Sequence, residues 1–176
     1  MEDNATPETR PMTASILTRA VDRPLPTALL LARIALPWVL AAYIVYILMW
    51  YLPFKFYPDS YLFQVLEDSL SFPWFEPYFR YFTGGVEAVA CLLLVIPGLQ
   101  VAGAAVAFAT MGGAILLHLF TALGVDPYND GGKLFTEACT NLVFAAVILW
   151  LRRGEILPLL RRLVTDPRYV RLASAD

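Results

Sequence analysis

The segment Arg80–Phe120 decides the fold of this chain, and it reads RYFTGGVEAVACLLLVIPGLQVAGAAVAFATMGGAILLHLF. It is nearly unbroken apolar sequence, which Pro97-Gly98 divides into two runs. At 1.5 Å per residue, helices of this length are comparable to the hydrocarbon core of a bilayer, which is about 30 Å thick. The run before Pro97 is the shorter of the two and only just long enough. A proline followed by glycine does not continue a helix comfortably. The two runs are therefore predicted to be antiparallel neighbouring membrane helices.

The composition extends this prediction to the whole chain. Of its 176 residues, 59% are hydrophobic and only 16% are charged, too few charges to solvate the surface of a soluble domain. The predicted spans are 27–52, 80–97, 101–123 and 134–151. We therefore predict an all-α integral membrane four-helix bundle at 27–151, preceded by a flexible tail at 1–26 and followed by a basic tail at 152–176.

The connection between the first two predicted helices, residues 53–79, is rich in aromatic side chains. Such density is typical of the headgroup layer of a membrane. A short helix capped by Asp59 or Ser60 and ending at Leu70 is predicted within it, with Glu67 and Asp68 facing water. This interfacial element is either a lid over a site or an aromatic belt that anchors the bundle.

The distribution of basic residues predicts the orientation in the membrane. Nine Lys and Arg residues lie on the two tails and three on the two longer connections, so both termini are expected to be cytoplasmic. Because these arginines flank membrane segments, nucleic-acid binding is excluded as their role. No cleaved signal peptide is expected, and amphipathic elements at 14–23 and 156–164 are predicted to lie on the lipid surface.

Ionisable residues within the apolar runs are the candidate functional residues. Counted from the outer ends of their helices, Glu87, His118 and Glu137 share one layer in the outer half, roughly 6–10 Å deep. Asn141 lies one turn below Glu137 on the same helix face. The best candidate partners for the Glu87 carboxylate are the basic side chains of Lys55 and Arg80. A buried carboxylate must be paired or neutralised in hydrocarbon.

Two hypotheses account for this cluster. In one, Glu87, His118, Glu137 and Asn141 form interhelical hydrogen bonds that fix the register of the bundle. In the other, they line a polar cavity, with Glu87 facing His118, that binds a quinone head group or relays its protons. A haem with two histidine ligands is excluded by the single histidine, and no metal-binding spacing is present.

The chain carries several short motifs at a characteristic spacing. They are LLAR at 30–33, KF at 55–56, RYFTGGVE at 80–87, IPG at 96–98, MGGA at 111–114, HL at 118–119 and DGG at 130–132. With these motifs the chain resembles the DoxX-like family of small four-helix bacterial membrane proteins. The resemblance implies a multi-pass protein of the bacterial cytoplasmic membrane, in contact with the lipid bilayer. It also implies an accessory subunit of a quinone-linked redox system that works with a protein partner.

The candidate ligand-binding residues are therefore Glu87, His118, Glu137, Asn141, Arg80 and Lys55. No covalent cofactor is implied, and quinone is the candidate ligand. The alternative is a structural membrane anchor that docks other proteins and performs no chemistry. A small-solute transporter is less favoured, because four helices without inverted repeats do not match the common transporter architectures.

Overall fold

The structure, a computed structural model, describes residues 27–58, 60–156 and 158. The chain divides after Ile34 into two units, and the described part of the first unit is the beginning of a helix. The predicted tails and the amphipathic elements within them lie wholly or mostly outside the described residues. Asp59, one of the two predicted caps, also lies outside them.

Five α-helices lie wholly within the described residues. They are α1 (Thr27–Tyr51), α2 (Tyr61–Leu70), α3 (Arg80–Val95), α4 (Gln100–Phe120) and α5 (Lys133–Leu151). A 3-10 turn, Leu52–Lys55, follows α1, and an irregular helical segment, Phe75–Phe79, leads into α3. Of the described helices, α1, α3, α4 and α5 are long and apolar enough to cross a membrane. The predicted all-α membrane bundle is confirmed, and each helix begins and ends within a few residues of its predicted span.

Helices α3 and α4 are in backbone contact near the short turn that joins them. Gly98 has a φ of +84°, a conformation that favours glycine, and this lets the chain reverse at once. Five residues later, a Cβ atom at Gly103 would lie 2.5 Å from the backbone nitrogen of Leu94. Only a glycine at this position allows so close an approach. We call this end of the bundle the closed end.

Small and branched side chains fill the interior between the long helices. Its fully buried members include Ala41, Ile44, Ala90, Leu94, Ala104, Ala107, Ala145 and Ile148. Large apolar residues such as Tyr46, Leu92, Phe108 and Val143 are exposed, as expected for helices that face lipid. One buried polar residue, Gln100, sits at the closed end and donates long hydrogen bonds to the carbonyls of Pro37 and Leu94.

Helix α2 confirms the predicted short helix but differs from the prediction in detail. Ser60 occupies the N-cap position, yet its side chain makes no capping hydrogen bond. Phe63 and Leu66 are buried, and they pack with Leu123. Asp68 is exposed, as predicted, whereas Glu67 is partly buried, and its carboxylate accepts a 3.0 Å hydrogen bond from the backbone N–H of Glu76. That bond ties α2 to the segment leading into α3.

Candidate functional site

A cavity of about 1130 Å³ lies at the end of the bundle where α1 and α4 end and α3 and α5 begin. All five helices contribute to its walls, and α2 forms one of them through Phe63, Leu66 and Leu70. Most of the lining is apolar. The polar lining residues are Tyr51, Lys55, Ser60, Thr83, Glu87, Thr110, His118, Thr121, Tyr128, Glu137 and Asn141. A large apolar cavity with a few polar groups is the usual form of a small-molecule site.

The charged pair in the cavity wall is Lys55 with Glu87. The Lys55 ammonium donates a 2.6 Å hydrogen bond to Oε1 of Glu87, whose side chain is almost fully buried. Gly84, one turn before Glu87, makes this approach feasible, because a Cβ there would lie 3.1 Å from the ring of Phe56 and 3.3 Å from Cβ of Lys55. The ion pair therefore supplies the counter-charge that a carboxylate in an apolar helix requires.

Arg80 lies behind this pair and does not line the cavity. Its guanidinium, 1% exposed, donates two 2.8 Å bonds from Nε to the Glu76 carboxylate and forms an ion pair with it. It also donates to the backbone carbonyls of Lys55 and Tyr57, and it stacks on the ring of Tyr81. Arg80 thereby fixes the backbone that carries Lys55. It is a positioning residue for the ion pair, not its partner.

His118 reaches the cavity from the last turn of α4. Its Nδ1 lies 2.5 Å from the carbonyl oxygen of Gly124, in the connection that follows. A carbonyl oxygen only accepts, so Nδ1 carries the proton of this bond. In the neutral ring, Nε2 is then a hydrogen-bond acceptor. The ring packs edge-on against Phe135 of α5, which holds its orientation.

Glu137 and Asn141 bring two more polar groups from α5, one turn apart. Glu137 is half-buried beside the hydroxyl of Tyr51, while Asn141 is 1% exposed. Oε2 of Glu137 and Oδ1 of Asn141 are buried without a hydrogen-bond partner among the described residues. An unpaired buried acceptor costs about 1–3 kcal/mol, so both atoms would gain from a donor.

The structure brings five of the six predicted site residues to one cavity. They are Lys55, Glu87, His118, Glu137 and Asn141, and the sixth, Arg80, supports Lys55 from behind. Glu87 and His118 both line the cavity and are each 4% exposed, but each makes its hydrogen bond to another group. The sequence interpretation missed the hydroxyl-bearing wall residues, because threonine in an apolar helix gives no signal of its own. Among them are Thr83, Thr110 and Thr121.

The position of helix α2 helps to decide whether the aromatic connection is a lid over a site or a belt that anchors the bundle. Its buried residues line the cavity, and the Ser69 hydroxyl accepts a 3.2 Å hydrogen bond from the backbone N–H of Ala122, just beyond α4. Tyr61 also approaches Tyr128, with ring centroids 6.1 Å apart. The inner face of α2 therefore covers the cavity, while exposed rings such as Trp74 and Tyr78 on the same connection suit the membrane interface.

These features define a class: a multi-pass integral membrane protein whose helices enclose a mainly apolar cavity with a buried ion pair. Residues 54–127 match the model of the DoxX-like family. The match covers Lys55, Glu87 and His118 but ends before Glu137 and Asn141. No curated protein and no solved structure matches the chain.

Proposed function

We propose that the cavity binds the head group of a membrane quinone. In this proposal the chain is an accessory membrane subunit of a redox system, and a protein partner carries the electron donor. The observation that carries the proposal is the Lys55–Glu87 ion pair in the wall of an otherwise mainly apolar cavity of about 1130 Å³. A quinone combines a polar ring with an apolar tail, and this wall offers a surface for each.

The residues of the wall suit such a ligand. The Lys55 ammonium is an N–H donor for a ring oxygen, and His118 Nε2 and Glu87 are acceptors for a ring hydroxyl. Apolar residues of α2 and α4, such as Phe63, Leu66 and Leu117, offer contacts for the tail. Imidazole and carboxylate groups are also the side chains that commonly relay protons within membranes.

Quinone retention tests this proposal directly. The full chain is purified in a mild detergent, its lipids are extracted, and quinone is quantified per protein chain. We expect near-stoichiometric quinone with the native protein and a loss of most of it with Glu87→Gln, which removes the counter-charge of Lys55. A matched control is Glu155→Gln, which removes the exposed ion pair with Arg152 beyond α5 and away from the cavity. The control is expected to retain quinone as the native protein does.

The same purification distinguishes the structural alternative. Co-purification of a stoichiometric protein partner without quinone would favour a membrane anchor and contradict the proposal. In that case Glu87→Gln is expected to behave as the native protein does. Thermal unfolding of Glu87→Gln in detergent separates the two explanations of a loss. If Glu87→Gln is folded and has lost quinone, a binding role is supported. If Glu87→Gln is unfolded, quinone retention is measured with Lys55→Gln instead.

We also propose that both termini are cytoplasmic, so that the cavity opens toward the outer leaflet. The support is the bias of basic residues toward the two tails. Cysteines introduced at Ser60 and Asn129 are expected to react with an impermeant thiol reagent applied to intact cells. Cysteines at Thr13 and Ser174 are expected to be protected, and their labelling would reverse the orientation.

A further inference from the structure

One side of helix α4 meets different surroundings at its two ends. Gly103, Thr110 and Leu117 are spaced seven residues apart, nearly two helical turns, so they lie on the same side of α4. At Gly103 this side touches the backbone of α3 at Leu94. At Thr110 and Leu117 it lines the cavity. The cavity therefore extends along the side of α4 that contacts α3 at the closed end.

The lining of the cavity continues from this side onto the outer surface of both helices. Phe82 of α3 and Leu116 and Phe120 of α4 line the cavity, yet each of them is more than half exposed. Gly113, about one turn before Leu116, is also exposed and lines the cavity. A Cβ atom at Gly113 would meet nothing within 4 Å. We call these four residues the lateral groove, because the cavity reaches the lipid-facing surface of the bundle along them.

The polarity of the wall differs between the interior of the cavity and the lateral groove. Glu87, His118 and Asn141, which line the interior, are almost fully buried. The lateral groove consists of glycine, leucine and phenylalanine only. Polar groups placed inside the bundle need hydrogen-bond partners, whereas a groove without polar side chains suits an apolar chain. A molecule that fits both parts has its polar end inside the bundle and its apolar end toward the lipid.

From this order of polarity we infer that the lateral groove binds the apolar tail of the cavity's ligand and leads it into the bilayer. The ligand class is then a ring compound with a long alkyl or isoprenoid chain, bound with its ring among the buried polar groups. This inference rests on the proposed function, because it takes the ring to be a quinone head group. From Gly113 to Phe120 the groove follows about 10 Å of α4, a length that a chain of several carbon atoms would fill.

The tail gains packing contacts in the groove, and it gains no additional hydrophobic free energy, because lipid is as apolar as the groove itself. The length of the tail alone is therefore a weak test of its position. A side chain that fills the groove is a stronger one, since it excludes the tail sterically and leaves the interior of the cavity unchanged.

Two quinones with the same methoxy-substituted ring test the inference, one without a tail and one with a decyl tail. Their dissociation constants for the full chain in lipid nanodiscs are measured by quenching of tryptophan fluorescence at a fixed lipid concentration. In Gly113→Leu the new side chain occupies the groove, so we expect the decyl quinone to bind about tenfold more weakly, as for moderate overpacking. The quinone without a tail is expected to bind as it does to the native chain.

Gly85→Leu is the matched control. Gly85 is also an exposed glycine in a membrane helix, and a Cβ there would meet nothing within 4 Å, but it does not line the cavity in the described structure. Both quinones are therefore expected to bind to Gly85→Leu as to the native chain. If Gly113→Leu leaves both dissociation constants unchanged, or raises both equally, the inference is overturned and the proposed function stands. If the native chain binds neither quinone, the proposed function fails and the inference fails with it.

A photoreactive decyl quinone, with a diazirine at the end of the tail, locates the tail on the native chain without any variant. After irradiation in nanodiscs, we expect the label on peptides that carry Phe82, Leu116 and Phe120, and an excess of unmodified decyl quinone should suppress it. A label found mainly on other exposed residues, such as Val143 of α5, would overturn the inference. Labelling of the groove that the excess does not suppress would mean that the groove is filled from the bilayer independently of the cavity, which would also overturn it.

Discussion

The two ends of the helix bundle are held together by different forces. At the closed end, α3 and α4 touch through Gly103. At the cavity end, the Arg80–Glu76 and Lys55–Glu87 ion pairs connect α3 to the chain on either side of α2. Close packing leaves no space for a ligand, whereas charged groups hold backbone segments in place around an open volume. The difference shows how one bundle can be rigid and still contain a cavity.

The largest effect on the cavity end is expected when the charge of Arg80 is removed. Arg80→Met leaves the Glu76 carboxylate and the carbonyls of Lys55 and Tyr57 without their donor. Breaking a buried ion pair by removing one partner costs about 3–5 kcal/mol, so a marked drop in the thermal unfolding temperature in detergent is expected. Arg153→Met, at an exposed arginine, is the control and should change stability by less than about 1 kcal/mol. Equal effects of the two changes would contradict the structural role of Arg80.

A methyl group added at the closed end tests its dependence on close packing. In Gly103→Ala the new Cβ would lie 2.5 Å from the Leu94 backbone nitrogen, so the two helices must separate. We expect a loss of about 3 kcal/mol, the upper part of the range for overpacking, because backbone cannot move aside as a side chain can. Gly113→Ala is the matched control on the same helix, since a Cβ there meets nothing within 4 Å. Denaturant or thermal unfolding of both variants in one detergent measures the difference.

An alanine-to-leucine substitution at two positions seven residues apart on α4 compares the packed interior with the cavity. Ala107 is fully buried in the packed interior, whereas Ala114 lines the cavity. Ala107→Leu is expected to destabilise the protein by about 1–3 kcal/mol through overpacking. Ala114→Leu is expected to leave stability within about 0.5 kcal/mol, because its side chain extends into open volume, and to reduce quinone retention. A destabilised Ala114→Leu that retains quinone would show that the cavity is not the binding volume.

The smallest effect is expected in the connection that holds the acceptor of His118. Slight desolvation of Asp126 is outweighed by hydrogen bonds from the backbone N–H groups of Gly132, Asp130 and Gly131, which lower the pKa of Asp126 below its usual value. A depressed folded-state pKa stabilises the fold fully above the unfolded-state value of about 3.9, and the contribution is lost as the pH falls through the folded-state pKa. Asp126→Asn should therefore lower the unfolding temperature slightly at neutral pH, and the difference should vanish in acid. A difference that persists in acid would assign the effect to shape, not charge.

The helices follow from the sequence because apolar runs of this length have one stable arrangement in a membrane. The shared depth of Glu87, His118 and Glu137 also follows, since a constant rise per residue turns position into depth. The partner of Glu87 could not be chosen between Lys55 and Arg80, because both lie at the same end. That choice depends on Gly84, which admits Lys55, and its reason is visible only in three dimensions.

The cavity itself was expected only as one of two hypotheses. Its volume depends on how far the helices stand apart at one end, and no local pattern encodes that distance. The hydrogen bond of Glu67 is a second feature that the sequence does not reveal. Helical periodicity placed this carboxylate on the outer face of α2, whereas a backbone N–H of the following irregular segment binds it. Such tertiary partners have no signature in a helical repeat.

The backbone contact at Gly103 also has a consequence for motion. Since α3 and α4 are fixed to one another at the closed end, spreading them is a costly way to open the cavity to a ligand. Helix α2 is held over the cavity by side chains and by single hydrogen bonds at Glu67 and Ser69. Opening is therefore expected to occur as a local detachment of α2, with the long helices intact. In hydrogen-exchange experiments the amides of Tyr61–Leu70 should exchange well before those around Gly103, and ligand exchange should follow the rate of that detachment.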